Sequence, residues 1–286
     1  MKYNSDFGTE DFFAAPINDT MFMSTDGVGS KIELECWDTI GYDCVAMNVN
    51  DIICVGARPT AFVNYIKMPL AMYCQYINDD RINKIAKGLL AACNLADVKL
   101  IGGETAIHGN DPDVSGTVVG ELIHHKPIYG QNIGPGDKII GIESGGIHSN
   151  GFTELRKNKI VIPNYFSEPT YIYSKLIVHL VEENLVTGLV NVTGGGMNNI
   201  HRLRTPYKPI IPLPGMLDKK NKHMNDIYNA LLPTMEGKII PTIDYMKDHF
   251  NMGWGFIVVC KDEVGHNVLD IIEMFGYKYN ILGAYE

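Results

Sequence analysis

Met21-Phe22-Met23-Ser24-Thr25-Asp26-Gly27-Val28-Gly29-Ser30-Lys31 is an apolar run that breaks into a Gly-rich turn and ends on a lysine. The run reads as a strand. Its glycines let the backbone take positive φ and let another group come close. A turn of this kind after a strand aims N–H groups at an anion, and Lys31 adds a positive charge. Asp26 is a poor neighbour for a phosphate unless a cation lies between the two anions. One reading is therefore nucleotide phosphates bridged to carboxylates by Mg²⁺. The other is an ordinary glycine hairpin with a surface aspartate, because short glycine motifs are weak signals.

The next stretch, residues 39–55, has helical spacing and an unusual polar face. At about 100° per residue, Asp43, Asn50 and Asp51 share one quarter of the wheel, opposite Val45, Val49, Ile52 and Ile53. The face carries Met47 and Cys54 and no lysine or glutamate. It reads as a metal or substrate face or, alternatively, as a solvated one. Gly56-Ala57-Arg58-Pro59 ends the helix.

Beyond it, Ala61–Ile66 reads as a strand and residues 79–94 as an amphipathic helix, with Ile82, Ile85, Ala86, Leu89, Leu90 and Cys93 inward. A short buried strand, Val98–Ile101, then runs into Gly102-Gly103-Glu104-Thr105, read as a second carboxylate-bearing turn. Val114–Ile123 alternates as a strand. Ile133-Gly134-Pro135-Gly136-Asp137 is the best boundary in the chain, so the expected domains are 1–134 and 135–286. The second half repeats the grammar. Lys138–Ile142 leads to Gly145–Gly151, Val190–Val192 leads to Thr193–Gly196 and a helix, and Tyr171–Glu183 and 263–275 read as helices. Gly253–Cys260 and Tyr277–Tyr285 read as strands. The whole is α/β, with mixed α+β character.

A chain of 286 residues has ample length for a core, and 45% hydrophobic with 20% charged residues is ordinary for a soluble globular protein. A net charge of −9 argues against nucleic acid and anionic membrane as partners. The sequence has no apolar run of membrane-spanning length and no apolar signal core at its N-terminus. Its six cysteines form no CxxC pair and read as reduced core residues of a cytoplasmic protein. Nine histidines include no HExxH, so no zinc site is expected.

Several motifs stand in a fixed order: STDGVGSK (Ser24–Lys31), DTIGYDCVAMNVND (Asp38–Asp51), GARP (Gly56–Pro59), GGETA (Gly102–Ala106), DVSG (Asp113–Gly116), GIHSNG (Gly146–Gly151), TGGG (Thr193–Gly196) and FNMGWG (Phe250–Gly255). Together they closely resemble the aminoimidazole ribonucleotide synthetase (phosphoribosylformylglycinamidine cyclo-ligase) family of purine biosynthesis, from about residue 20 to the C-terminus. The resemblance implies ATP-dependent ring closure of formylglycinamidine ribonucleotide. It also implies two α/β subdomains and a homodimer, in which strands of both N-terminal domains form a shared barrel beside the active-site cleft.

Position by position, the resemblance implies Asp26, Asp51 and Glu104 near Mg²⁺, and Gly27, Gly29, Lys31, Asp43, Asn50 and Gly103 around the ATP. Lys31 and Asp51 join His148 near the chemistry, His148 stabilising the transferred phosphoryl or handling the amidine proton. Ser149, Asn150, Thr193, Gly194, Gly195, Gly196 and Asn251 are the expected substrate contacts. Tyr165, Phe166, Tyr171 and Tyr173 are expected to pack, and Lys219–Lys222 to be a solvated loop.

The chain departs from the family pattern in places. Ile147 replaces the proline before His148, and Tyr171 stands where an arginine is usual. The segment from Glu104 to Asp113 is short. The first motif begins at Ser24, leaving Phe7-Gly8 and Ala14-Ala15-Pro16 as the remnant of an arm over ATP, with a raised KM for ATP expected. Selenophosphate synthetase is disfavoured by the missing N-terminal nucleophile, thiamine-phosphate kinase by the His148–Asn150 loop and Phe250-Asn251, and a Walker kinase by the absence of GxxxxGK[ST]. A catalytically dead homologue, binding nucleotide or subunits as a regulator, is the alternative from another class.

Overall fold

The computed structural model describes residues 12–74, 80–157, 168–212 and 243–286. Phe7-Gly8, Tyr165, Phe166 and Lys219–Lys222 lie outside the described residues. The first half runs β1 (Ala15–Pro16), β2 (Met21–Gly27), α1 (Trp37–Ile52), β3 (Ala57–Met68), α2 (Leu70–Cys74), α3 (Arg81–Ala96), β4 (Lys99–Ile107) and β5 (Asp113–Leu122). The five strands form one sheet in the order β1-β2-β5-β3-β4. Only β3 and β4 pair in parallel, and α3 lies in the crossover between them, as such a pairing requires. Pro59 is tolerated inside β3 because it sits at a register shift against β5.

Helices cover one face of this sheet. Phe22, Phe62, Ile66 and Val118 are buried there, whereas Val63 and Tyr65 on the other face are exposed. Helices α1 and α3 cross at glycines. A Cβ on Gly41 would stand 2.0 Å from the Ile85 carbonyl oxygen, and one on Gly88 would stand 3.0 Å from the Tyr42 nitrogen. This close crossing turns α3 relative to the expected stripe. Ile85, Gly88, Leu89, Ala92 and Cys93 are buried, while Ala86 and Leu90 face outward.

The second half runs β6 (Lys138–Glu143), α4 (Phe152–Lys157), α5 (Ser174–Glu182), β7 (Gly188–Asn191), β8 (Pro209–Ile210), α6 (Ile243–His249), β9 (Trp254–Cys260), α7 (Gly265–Met274) and β10 (Tyr279–Tyr285). Its strands form a second sheet, ordered β7-β9-β6-β10-β8, with antiparallel pairing. The two sheets fall on either side of the Gly/Pro punctuation at 133–137.

Four expectations are corrected. Gly102–Thr105 is not a turn: it lies inside β4, which is an exposed edge strand and not a buried one. The segment before α5 is irregular as far as Tyr173, so the helix starts at Ser174 and not at Tyr171. The helix after Thr193–Gly196 is 3₁₀, spanning Gly196–Arg202. The polar face of α1 is not solvated, because α1 is enclosed on nearly every side and Asp43, Asn48 and Asn50 are fully buried. Cys44, Cys54, Cys93 and Cys260 are buried free thiols. Among the described residues, no helix is long and apolar enough to cross a membrane.

Candidate active site

The site grows from the polar stripe of α1. Asp43 and Asn50 are seven residues apart, two helical turns, so they face the same way. Both reach the irregular segment 168–173 from the second half. Asn50 Nδ2 donates to the Tyr171 carbonyl at 2.7 Å, and its Oδ1 accepts from the Tyr173 N–H at 3.1 Å. Asp43 Oδ1 accepts from Thr170 twice, from the N–H and from the hydroxyl, each at 2.7 Å. Ser149 Oγ lies 3.3 Å from the same oxygen and 3.1 Å from the Thr170 hydroxyl.

Lys31 completes this network. It sits in the 3₁₀ turn Gly29–Leu34 that follows β2, and its side chain is as buried as that of Asp43. Its Nζ lies 2.9 Å from each Asp43 oxygen and donates to the Glu168 carbonyl at 2.7 Å. Removing two charges from water is costly, and only geometry of this kind with further hydrogen bonds compensates. The lysine expected to meet phosphate is thus paired with Asp43 and Glu168 within the chain.

His148 is also enclosed. Its backbone takes φ of 57°, and its Nε2 accepts from the Gly145 N–H at 3.3 Å, with the Tyr171 nitrogen at 3.5 Å. Burial, aided by the Lys31 charge, pushes the imidazole down to about 3. The ring is therefore neutral near pH 7, with its proton on Nδ1. Asn251 is buried too: Nδ2 donates to the Gly146 carbonyl at 2.8 Å and Oδ1 accepts from the Gly253 N–H at 2.9 Å. It supports the 145–151 loop from beneath.

A second group is more open. Asp26 ends β2, and its Oδ1 accepts from the Gly27 N–H at 2.7 Å, while the Val28 N–H donates to Val114. These two amides are therefore taken up within the chain, not turned toward a phosphate as the turn had implied. Burial raises the Asp26 carboxyl, with the Gly27 hydrogen bond opposing. Asp51, on the last turn of α1, accepts from Asn191 Nδ2 at 2.8 Å. Its carboxyl is pushed up to about 7, chiefly by burial; Asn191 and Arg202 oppose this, and the Asp26 charge adds to it. Asn48 Nδ2 donates to the Asp26 carbonyl at 3.1 Å, and its buried Oδ1 has no partner among the described residues.

The Asp26 charge thus acts on Asp51, and carboxylate and amide oxygens are the hard donors that could hold Mg²⁺. Glu104 does not join them. Register places Asp26, Gly116, Asn64 and Gly103 in one row across the sheet, and Glu104 in the next row with Tyr65 and Ser115. Adjacent rows point to opposite faces, and three strand spacings make about 14 Å. The expected grouping of Glu104 with Asp26 therefore does not form within one chain. Gly103 shares the displacement to the sheet edge.

The glycine loops lie at the same junction. Gly29, Gly194 and Gly195 are exposed, and Gly29 and Gly195 take positive φ. A Cβ on Gly194 would sit 3.5 Å from Asn150 Oδ1, so the two loops of the second half meet. Asn150 Nδ2 is buried with no partner among the described residues. Thr193 is held by Asn199, whose Nδ2 donates to its Oγ1 at 3.1 Å. Gly196 is pinned beneath α6, where a Cβ would stand 1.9 Å from the Lys247 carbonyl. Sequence reasoning missed Asn191, Asn48, Arg202 and Thr170. Asn191 had a signal, a polar residue closing an apolar strand; Thr170 had none.

The N-terminal domain pattern of AIR synthase related proteins matches residues 11–122, and the C-terminal domain pattern matches residues 134–204. The chain belongs to this family. A relative in Pyrococcus horikoshii, named phosphoribosylformylglycinamidine cyclo-ligase, is 38% identical over 96% of this chain and 79% of its own length. Among solved structures, a HypE–HypF complex matches with a TM-score of 0.72 at 17% identity, covering 99% of this chain and 90% of the other. Hydrogenase maturation protein HypE in complex with ATP matches at 0.67 and 15% identity, covering 95% and 78%. At such identities the two structures establish the family's fold alone.

Proposed function

We propose that this chain closes the imidazole ring of aminoimidazole ribonucleotide in purine biosynthesis. The formyl amide oxygen of formylglycinamidine ribonucleotide takes the γ-phosphoryl group of ATP, and ADP leaves. The amidine nitrogen then attacks the activated carbon and loses a proton, and phosphate departs with the former amide oxygen. An amide oxygen is a poor leaving group and phosphate a good one, so the step needs positioning and charge neutralisation. The observation that carries the reading is 38% identity along nearly the whole chain to a named cyclo-ligase.

In this proposal Asp26 and Asp51 would hold Mg²⁺, whose charge would offset that of the nucleotide phosphates. The exposed Gly29 turn meets the nucleotide, and Gly194, Gly195 and Asn150 meet the ribonucleotide substrate. His148 acts as a neutral acceptor that fixes the Gly145 and Tyr171 amides. A second copy covers the helix-free face of the first sheet. Met21, Met23, Val63 and Tyr65 are 36–39% exposed on that face, a row of large apolar side chains beyond what scattered surface hydrophobics give. Glu104 then lies on the interface side.

The test is turnover with formylglycinamidine ribonucleotide, ATP and Mg²⁺, quantifying ADP and aminoimidazole ribonucleotide. Equal amounts of both are expected. ADP without the imidazole would point to another phosphoryl acceptor. A folded protein that makes neither, and that Mg–ATP does not stabilise thermally, would leave the regulator reading.

A further inference from the structure

We infer that Lys31, Asp43, Ser149 and Thr170 are positioning residues that lock the nucleotide-side turn to the substrate-side loop, and are not ligands of either substrate. The four come from four separate segments: the turn after β2, helix α1, the 145–151 loop and the 168–173 segment. They meet at one carboxylate. Asp43 Oδ1 takes Lys31 at 2.9 Å, Thr170 at 2.7 Å twice and Ser149 at 3.3 Å. Lys31 spans the same junction by donating to the Glu168 carbonyl at 2.7 Å.

Two features separate this from a binding site. Lys31 and Asp43 have no exposed side-chain surface, so neither offers an atom to a phosphate. The ammonium already has a carboxylate and a carbonyl, leaving no charge to be answered from outside. A buried ion pair adds little stability compared with apolar packing of the same volume, and its best-attested use is to fix register. The register it fixes is that of Gly29 against His148–Asn150, through a shared partner and not through direct contact. The Ser30 and Thr153 hydroxyls, 2.9 Å apart, add a second tie between the same turn and the helix after the loop.

The proposal rests on the cyclo-ligase reading for the naming of the nucleotide and substrate sides and for its kinetic readout, while the four-segment contact stands on geometry alone. Thr170→Val removes one hydroxyl and strands no charge, so the chain is expected to fold. Amide exchange is expected to quicken about 3–10-fold in both 145–151 and 29–34, segments far apart in sequence. With formylglycinamidine ribonucleotide, kcat/KM is expected to fall about 10–100-fold, through kcat and this substrate's KM, while the Mg–ATP dissociation constant moves less than about twofold. Thr170→Ser is expected to restore both.

The double variant Lys31→Met with Asp43→Leu is expected to bind Mg–ATP as the wild type does. A folded double variant that loses Mg–ATP would make these residues nucleotide ligands and overturn the inference. Exchange confined to the neighbours of residue 170 would overturn it equally. Wild-type protein without turnover but with the expected exchange pattern would sink the cyclo-ligase reading and leave the lock in place.

Discussion

Asp51 carries the clearest consequence at the scale of a single residue. The folded chain holds its carboxyl up at about 7, whereas an unfolded carboxyl titrates at about 4. Between those values the native state binds a proton that the unfolded state has released, so stability is present at low pH and is lost as pH rises through 7. Asp51→Asn removes that loss. Its melting temperature is expected to gain on the wild type between about pH 5 and about pH 8 by about 2–4 °C, the response of a chain this size to ~1 kcal/mol. Partial exposure of Asp51 keeps the effect that small. A difference that stays flat with pH, read by scanning fluorimetry, would place the proton elsewhere. Gly255 gives a steric counterpart. A Cβ there would stand 2.0 Å from the Tyr173 hydroxyl oxygen and 2.3 Å from His148 Cε1. Gly255→Ala must therefore move the ring that orders the 145–151 loop, and a cost of about 1–3 kcal/mol is expected in urea unfolding. A neutral result would show that the two rings yield freely.

At the scale of elements, α1 is the piece on which both halves converge, and its position depends on the glycine crossing with α3. Gly41→Ala tests this, because two effects oppose. Alanine favours an α-helix by about 0.8–1 kcal/mol over glycine. Against that, its methyl would be placed 2.0 Å from the Ile85 carbonyl oxygen and 2.8 Å from the Leu89 nitrogen, both backbone atoms that move only with the helix. Overpacking of about 1–3 kcal/mol wins, so a lower urea midpoint is expected for Gly41→Ala and a milder loss for Gly88→Ala. A stabilised Gly41→Ala would mean that the helices have room to separate. The same helix shows what the sequence made legible. Periodicity found the stripe of Asp43, Asn50 and Asp51, since helical spacing is local. It did not find what the stripe meets, because Thr170 and Tyr171 lie more than a hundred residues on and carry no pattern. Gly102-Gly103 misled for a related reason. A glycine pair punctuates in isolation, but beside β3 it continues an edge strand at a register shift, where Gly103 packs closely on Asn64.

For the molecule as a whole, the mixed α/β character was readable, because alternation, helical spacing and Gly/Pro punctuation are themselves short-range. Strand order was not, and with it went the expected place of Glu104 beside Asp26. The helix-free face of the first sheet makes the prediction proper to this scale. Met23→Glu with Val63→Glu puts charge into the apolar face while leaving the covered face untouched. Light scattering behind gel filtration is expected to give a dimer for the wild type and a monomer for the variant. A wild-type monomer at micromolar concentration would remove the dimer from the proposal. The buried thiols extend the same view. Cys44 and Cys54 lie in and just beyond α1, Cys93 in α3 and Cys260 in β9, and burial holds Cys93 up at about 11 and Cys260 at about 12. Since only a thiolate reacts with a disulfide reagent, each sulfur is silent until its own surroundings part. The chain thus contains its own set of clocks. The order in which the four sulfurs take up a chromogenic label in native buffer tells which half breathes first. Simultaneous uptake would mean that the halves, locked at α1, come apart only as one.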